Sequence, residues 1–200
     1  MALEDLHIDI PDISPPDEIR SLIDESNRRI DAYVQSQRDN LMLGFVPSDF
    51  DEVYRALRAV AKIKVGCFVE WGSGFGVTTL LAAGMGFDAS GIEIIPELVD
   101  GARELAREFR LDAEFVTGSF VPMDAQDIID LTEGPDWLKH GGHDGHDLLG
   151  IDTRDIDVVF AYPWPGEADV IEALFERLCP RGAILFTWNG PDGIKVVRRR

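Results

Sequence analysis

The feature that most constrains this chain is the heptapeptide Glu70-Trp71-Gly72-Ser73-Gly74-Phe75-Gly76, set between an apolar run at 65–69 and a helical pattern at 77–84. A short apolar run without alternation suits a strand buried on both faces. Glycines at every second position let the backbone turn tightly and bring a ligand close to bare N–H groups. A tight strand-to-helix turn with no ligand has the same local pattern, so the choice depends on what accompanies it.

Further strands are predicted at 89–94, 113–117, 157–161 and 183–188, with a short last one at 194–197. Helical periodicity separates them: Pro96 stands where a first helical position falls, and Leu98, Val99, Ala102, Leu105, Ala106 and Phe109 form one stripe. Another helix is expected over 167–178. This alternation implies an α/β fold with a doubly wound, mostly parallel sheet. Before the first strand, Ile19, Leu22, Ile23, Ile30, Tyr33 and Val34 recur at helical spacing. Ser48 is the expected N-cap of a second helix carrying Phe50, Val53, Leu57, Val60 and Ala61. The expected organisation is therefore an N-terminal helical arm, 1–60, and a sheet domain, 61–200, forming one globular unit.

The net charge of −18 is uneven: residues 1–52 hold 13 acids against 4 bases, and residues 124–157 hold 10 against 2. Such a balance opposes binding to phosphate backbones or anionic membranes, so neither nucleic acid nor membrane is an expected partner. The acidity either steers a cationic or neutral small molecule or serves solubility. No apolar run approaches the roughly 18 residues of a spanning helix. The acidic, Pro11-broken start is unlike a signal peptide, and Cys67 and Cys179 are too few for a disulfide framework. A reducing, cytoplasmic setting is the expectation.

Two ligand classes compete for the glycine turn. A dinucleotide fingerprint needs a third glycine where bulky Val77 stands. A carboxylate at Glu70 would also repel a pyrophosphate, whereas it suits the ammonium and sulfonium end of S-adenosyl-L-methionine. Glu93 closes the second strand, where an acid accepts hydrogen bonds from both ribose hydroxyls. Without the glycine turn it would read as an exposed strand-end charge.

On Glu70 to Gly76, on Gly91-Ile92-Glu93 and on the strand order, residues 60–190 resemble the Rossmann-like (class I) S-adenosylmethionine-dependent methyltransferases. The heptapeptide is similar to that of a little-described bacterial subgroup. The resemblance implies that Gly72 and Gly74, with Ser73 and Gly76 in the same loop, lie against the methionine part. It places Glu93 on the ribose and Ile94 against the adenine. An Asp often follows the third strand in this family and reaches the adenine amino group; Gly118-Ser119 stands there, making Ser119 the candidate. The family's sheet ends in a sixth and an antiparallel seventh strand. Only 12 residues follow the fifth strand here, so a sheet shortened at its C-terminal edge is expected.

Ala161-Tyr162-Pro163-Trp164-Pro165 leaves the fourth strand where amino-group methyltransferases often carry Asp or Asn before Pro-Pro and an aromatic. Tyr162 is placed to hydrogen-bond an acceptor and Trp164 to stack on a ring; the alternative is a packing turn with buried aromatics. Glu167 is either a general base or a first-turn acid favourable to the helix dipole. His140, His143 and His146 with Asp144 and Asp147 form either a metal clip or a solvated loop. Their spacing matches no recognised zinc pattern, so no metal is expected. Methyl transfer from S-adenosyl-L-methionine to a small acceptor is the leading reading. A non-catalytic binder of the donor and a nicotinamide-dependent oxidoreductase are the rivals.

Overall fold

The computed structural model describes residues 3–37, 46–131, 142–164 and 166–200. Its strands are β1 (Leu3–Asp5), β2 (Cys67–Trp71), β3 (Asp88–Glu93), β4 (Ala113–Thr117), β5 (Val158–Ala161), β6 (Ile184–Trp188) and β7 (Ile194–Arg199). The helices are α1 (Asp17–Ser36), α2 (Phe50–Val60), α3 (Val77–Gly84), α4 (Pro96–Phe109), α5 (Gln126–Leu131), α6 (Gly145–Leu149) and α7 (Ala168–Leu178). The strands form one sheet in the order β1-β7-β6-β5-β2-β3-β4, with β4, β3, β2, β5 and β6 parallel.

Both faces of the central strands are apolar, which is why no alternation shows in the sequence. Phe68, Phe160 and Phe186 pack with Leu22, Ile23, Val53, Leu57, Leu80 and Leu98 on one face. Val69, Val159 and Leu185 pack with Val170, Leu174 and Phe175 on the other. The helices of the N-terminal arm thus share the core of the first face. The second-helix cap is one residue later than expected: Asp49, not Ser48, accepts the N–H groups of Asp51 and Glu52, each at 3.0 Å.

The expected shortening of the C-terminal edge does not occur. Twelve residues suffice for one more strand, because the turn at Gly190–Asp192 and Gly193 (φ +75°) sends β7 back antiparallel along β6. The chain's other end supplies the remaining edge: β1 pairs antiparallel with β7, Leu3 opposite Arg199 and Asp5 opposite Val197, and Leu6 N–H continues to Val196 O at 2.8 Å. A three-residue strand was invisible to periodicity, since it is too short to display one.

The chain runs from β2 through β3 to β4 on one side of the sheet and returns to β5 and β6 on the other. The reversal lies between β2 and β5, and the loops leaving their carboxyl ends open a crevice there, where α/β proteins bind ligands.

Removing residues 1–6 would expose β7 as an open edge of unpaired backbone groups. We expect a loss of about 1–3 kcal/mol in denaturant unfolding, with increased self-association. Wild-type stability and monodispersity in the truncated chain would show that β1 is dispensable.

Candidate functional site

The loop after β2 needs left-handed backbone at Gly72 (φ +75°), Gly74 (φ +54°) and Gly76 (φ +70°), a conformation that side chains disfavour. Gly76 has a packing reason as well, since a Cβ there would lie 2.3 Å from the Phe115 ring and 3.0 Å from Ala102. In front of Gly72 there is open space. Gly91 lets the loop rest on β3, because a Cβ would meet Ser73 at 2.8 Å.

The N–H groups of this loop are not bare. Gly72 and Ser73 both donate to Ile92 O at 2.9 Å, and Gly74 donates to Glu93 Oε2 at 2.9 Å. Glu93 Oε1 accepts from Ile95 N–H, also at 2.9 Å. The ribose candidate is thereby fixed in place.

Glu70 points to the other side of the strand from Trp71, as the period of two requires. Its Oε2 accepts from Thr79 N–H at 2.8 Å and from Thr79 Oγ1 at 2.5 Å. It therefore occupies the anion position at the N-terminal turn of α3, the place a phosphate takes in nucleotide-binding loops. Burial pushes this carboxyl up to about 7, against the lowering effect of the Thr79 bonds.

A cleft of about 1230 Å³, including its open mouth, joins this loop to the turn after β5. Glu70, Gly72, Ser73, Glu93, Ile94 and Ser119 line it, as do Tyr162, Trp164 and Glu167. Gly74 and Gly76 shape the loop without facing the cleft. Ser119 Oγ is engaged with Val121, accepting its N–H at 3.0 Å and donating to its carbonyl at 3.2 Å. The hydroxyl is thus left only a second acceptor lone pair for a ligand donor.

Sequence reasoning missed several cleft residues. Ile30, Val46, Pro47, Ser48 and Phe50 of the N-terminal segment close one wall. Trp71 lines the cleft and stacks on Phe120 (centroids 5.5 Å apart, planes 7° from parallel). The alternation of side chains along β2 was the available signal for Trp71; Phe120 had none. Tyr162 packs edge-on against Trp188 at 4.7 Å, and Trp188 Nε1–H donates to Glu52 Oε2 at 2.9 Å, tying α2 to this end.

The histidine-rich stretch is neither a clip nor a solvated loop where it is described. His140 lies outside the described residues, and His143 is exposed. His146 is buried beneath Trp71, whose Nε1–H donates to His146 Nε2 at 3.1 Å. The imidazole is therefore neutral, with its proton on Nδ1, 3.3 Å from Asp144 Oδ1. Burial holds its pKa below the ordinary value despite Asp144. The segment docks because Ser119 N–H donates to His143 O at 2.9 Å and Gly145 N–H to Ser119 O at 2.8 Å. Among the described residues no three His, Cys, Asp or Glu side chains are grouped to hold a metal. Neither cysteine is poised as a thiolate: burial pushes Cys67 up to about 11 and Cys179 higher still.

With this geometry in hand, the comparisons with known proteins concern fold. No family model and no curated protein matches the sequence. Among solved structures, the chain is similar to a methyltransferase from Geobacter sulfurreducens, with a TM-score of 0.52 and 17% identity over 94% of this chain and 93% of that one. It is also similar to an RNA methyltransferase from Salinibacter ruber in complex with S-adenosyl-L-homocysteine, with a TM-score of 0.50 and 21% identity over 76% of this chain and 92% of that one. The fold, a seven-stranded, mostly parallel sheet with flanking helices, is the one these two methyltransferases share with this chain. Among the described residues no helix is long and apolar enough to cross a membrane.

Two predictions test the site's framework. Glu70 has its folded pKa raised above the ordinary 4.5, so folding takes up a proton and this group's stability contribution is lost as pH rises from 4.5 through about 7. Glu70→Gln keeps an acceptor for Thr79 but cannot ionise. Its melting temperature relative to wild type should therefore climb between pH 5 and 8, by the equivalent of about 1–3 kcal/mol. A pH-independent difference contradicts the buried ionisation. Separately, His146→Ala leaves the Trp71 indole N–H without its acceptor, and unfolding free energy should drop by about 1–3 kcal/mol. His146→Gln should recover part of the loss, and equal losses in both would contradict the hydrogen-bond account.

Proposed function

We propose that this protein transfers a methyl group from S-adenosyl-L-methionine to a small-molecule acceptor by in-line displacement. The observation that carries this reading is the position of Glu70. The anion place at the start of α3 is already taken by the chain's own carboxylate, and three loop N–H groups are spent on Ile92 and Glu93. A pyrophosphate meets a carboxylate at that helix start and finds the N–H groups of Gly72, Ser73 and Gly74 already engaged, which disfavours the nicotinamide reading. A positively charged methionine end finds a complementary carboxylate. Glu70, Gly72 and Ser73 would hold that end, with Gly74 and Gly76 shaping the loop behind them, Glu93 the ribose, and Ile94 with the Ser119 turn the adenine. Bound there, the donor supplies an activated methyl group on a sulfonium.

The chain's residues hold and orient the partners, since such a displacement depends chiefly on aligning nucleophile and methyl. Tyr162, Trp164 and Glu167 form the acceptor end. The excess of acids supports a neutral or cationic small molecule and opposes the phosphate backbone of a nucleic acid. A second reading, a donor-binding protein without transfer, is favoured by one observation: Tyr162 stands where amino-group methyltransferases often carry an acid or amide.

Calorimetric titration should show binding of S-adenosyl-L-methionine and S-adenosyl-L-homocysteine and no heat with NAD. Glu93→Gln, which removes the charge and leaves one of the two backbone N–H groups without its acceptor, should weaken donor binding by about 1–3 kcal/mol and lower the melting temperature as well. NAD binding with no response to either sulfur compound would sink the proposal.

A further inference from the structure

The acceptor end of the cleft has a composition that selects a ligand. Its flat surfaces are Trp164 and Tyr162, and no Lys, Arg or His is among the described residues lining the cleft. Three carboxylates line it, and two are committed. Glu70 is bound to Thr79, and Glu93 takes one backbone N–H on each oxygen. Glu167 differs.

Glu167 occupies the N-cap position of α7, yet its side chain makes no hydrogen bond to that helix. Instead it folds back on the turn after β5. Trp164 N–H donates to Glu167 Oε2 at 2.9 Å, and Glu167 N–H donates to Trp164 O at 2.9 Å. This reciprocal pair pins the carboxylate to the Trp164 backbone at the rim of the same cleft that Trp164 lines. It is the only hydrogen bond its carboxylate has from a described residue, and Glu167 is 6% exposed. A helix-dipole role would leave the carboxylate on the N–H groups of α7; the chain turns it away from them.

We propose, on the basis of the methyl-transfer reading above, that the acceptor is an aromatic molecule bearing an O–H or N–H nucleophile, laid on Trp164 and Tyr162, with Glu167 as the base that takes its proton. The nucleophile's lone pair forms the new bond to the methyl carbon. The carbon–sulfur bond breaks with its electron pair going to sulfur, leaving the neutral thioether. The proton of the O–H or N–H passes to the Glu167 carboxylate, and charge balances: sulfonium and carboxylate become thioether and carboxylic acid. Burial raises this carboxyl above its ordinary range, opposed by the Trp164 N–H, which makes it a better proton acceptor than an exposed glutamate. A carboxylate or phosphate acceptor would meet no lining cation and would be opposed by Glu167. Aromatic faces reward a flat ring instead.

The full-length protein saturated with S-adenosyl-L-homocysteine is probed by saturation-transfer NMR with catechol, indole and aniline, and with benzoate, phenyl phosphate and a short RNA. Methyl transfer from labelled donor is then measured on the same set. Expected is binding and methylation of at least one of the uncharged arenes and of none of the anions or the RNA. Catechol against aniline or indole tells oxygen from nitrogen as the nucleophile. Glu167→Gln, which preserves the bond from Trp164, should leave donor affinity unchanged and lower kcat by about 100-fold or more, with Glu167→Asp recovering part. Methylation of an anion or of RNA overturns the proposal. So do failure of the arenes to bind, binding without methylation, and an undiminished kcat in Glu167→Gln. A protein that binds no donor at all fails the underlying reading instead, which the first titration reports separately.

Discussion

Everything at the crevice depends on where the Glu70 carboxylate sits. It caps the first turn of α3 through Thr79, and the turn between β2 and α3 is thereby closed by the chain itself. The remaining loop donors are drawn onto β3, by Ile92 O and Glu93, so the glycine loop lies flat on the neighbouring strand. The same backbone curve that cradles phosphates elsewhere is filled here by the chain's own carboxyl group. Its buried carboxyl is accordingly strained toward the neutral form, a condition a cationic ligand relieves.

Around that centre the walls come from distant parts of the chain. Phe50 and Ile30 arrive from the N-terminal helices, which share one core with Phe68 and Leu80. The opposite wall is a relay of contacts: Asp144 orients His146, His146 receives the Trp71 indole, and Trp71 stacks on Phe120. Neither acidic segment is merely a solvated surface, for each delivers residues to the crevice or its support. The sheet is completed the same way, with Leu3–Asp5 filling the edge beside β7.

Much of the framework was legible. The helix over 77–84, Pro96 at the first turn of α4 and the strand at 113–117 follow from apolar spacing and proline position, which are local properties. The glycine heptapeptide was legible because left-handed backbone at three positions excludes nearly every other residue. The edge strand β1 was not, since three residues carry no period. His146 was misread because three histidines and flanking glycines look solvated until Gly118 and Gly145 are seen to admit close backbone contact, a Cβ on Gly145 meeting Ile92 at 2.4 Å.

The amino-acid sequence by itself determined the α/β alternation, the position of the glycine turn and the two acids, Glu70 and Glu93, that line the cleft at the ends of β2 and β3. These are consequences of residue type at fixed spacing along one segment. Tertiary structure alone decided that the Gly72, Ser73 and Gly74 N–H groups are taken up by β3, that β1 closes the sheet, and that Glu167 turns from its helix to Trp164. Each of those depends on which groups meet in space, and hydrogen bonds between segments are settled only when both partners are brought together by the packed core.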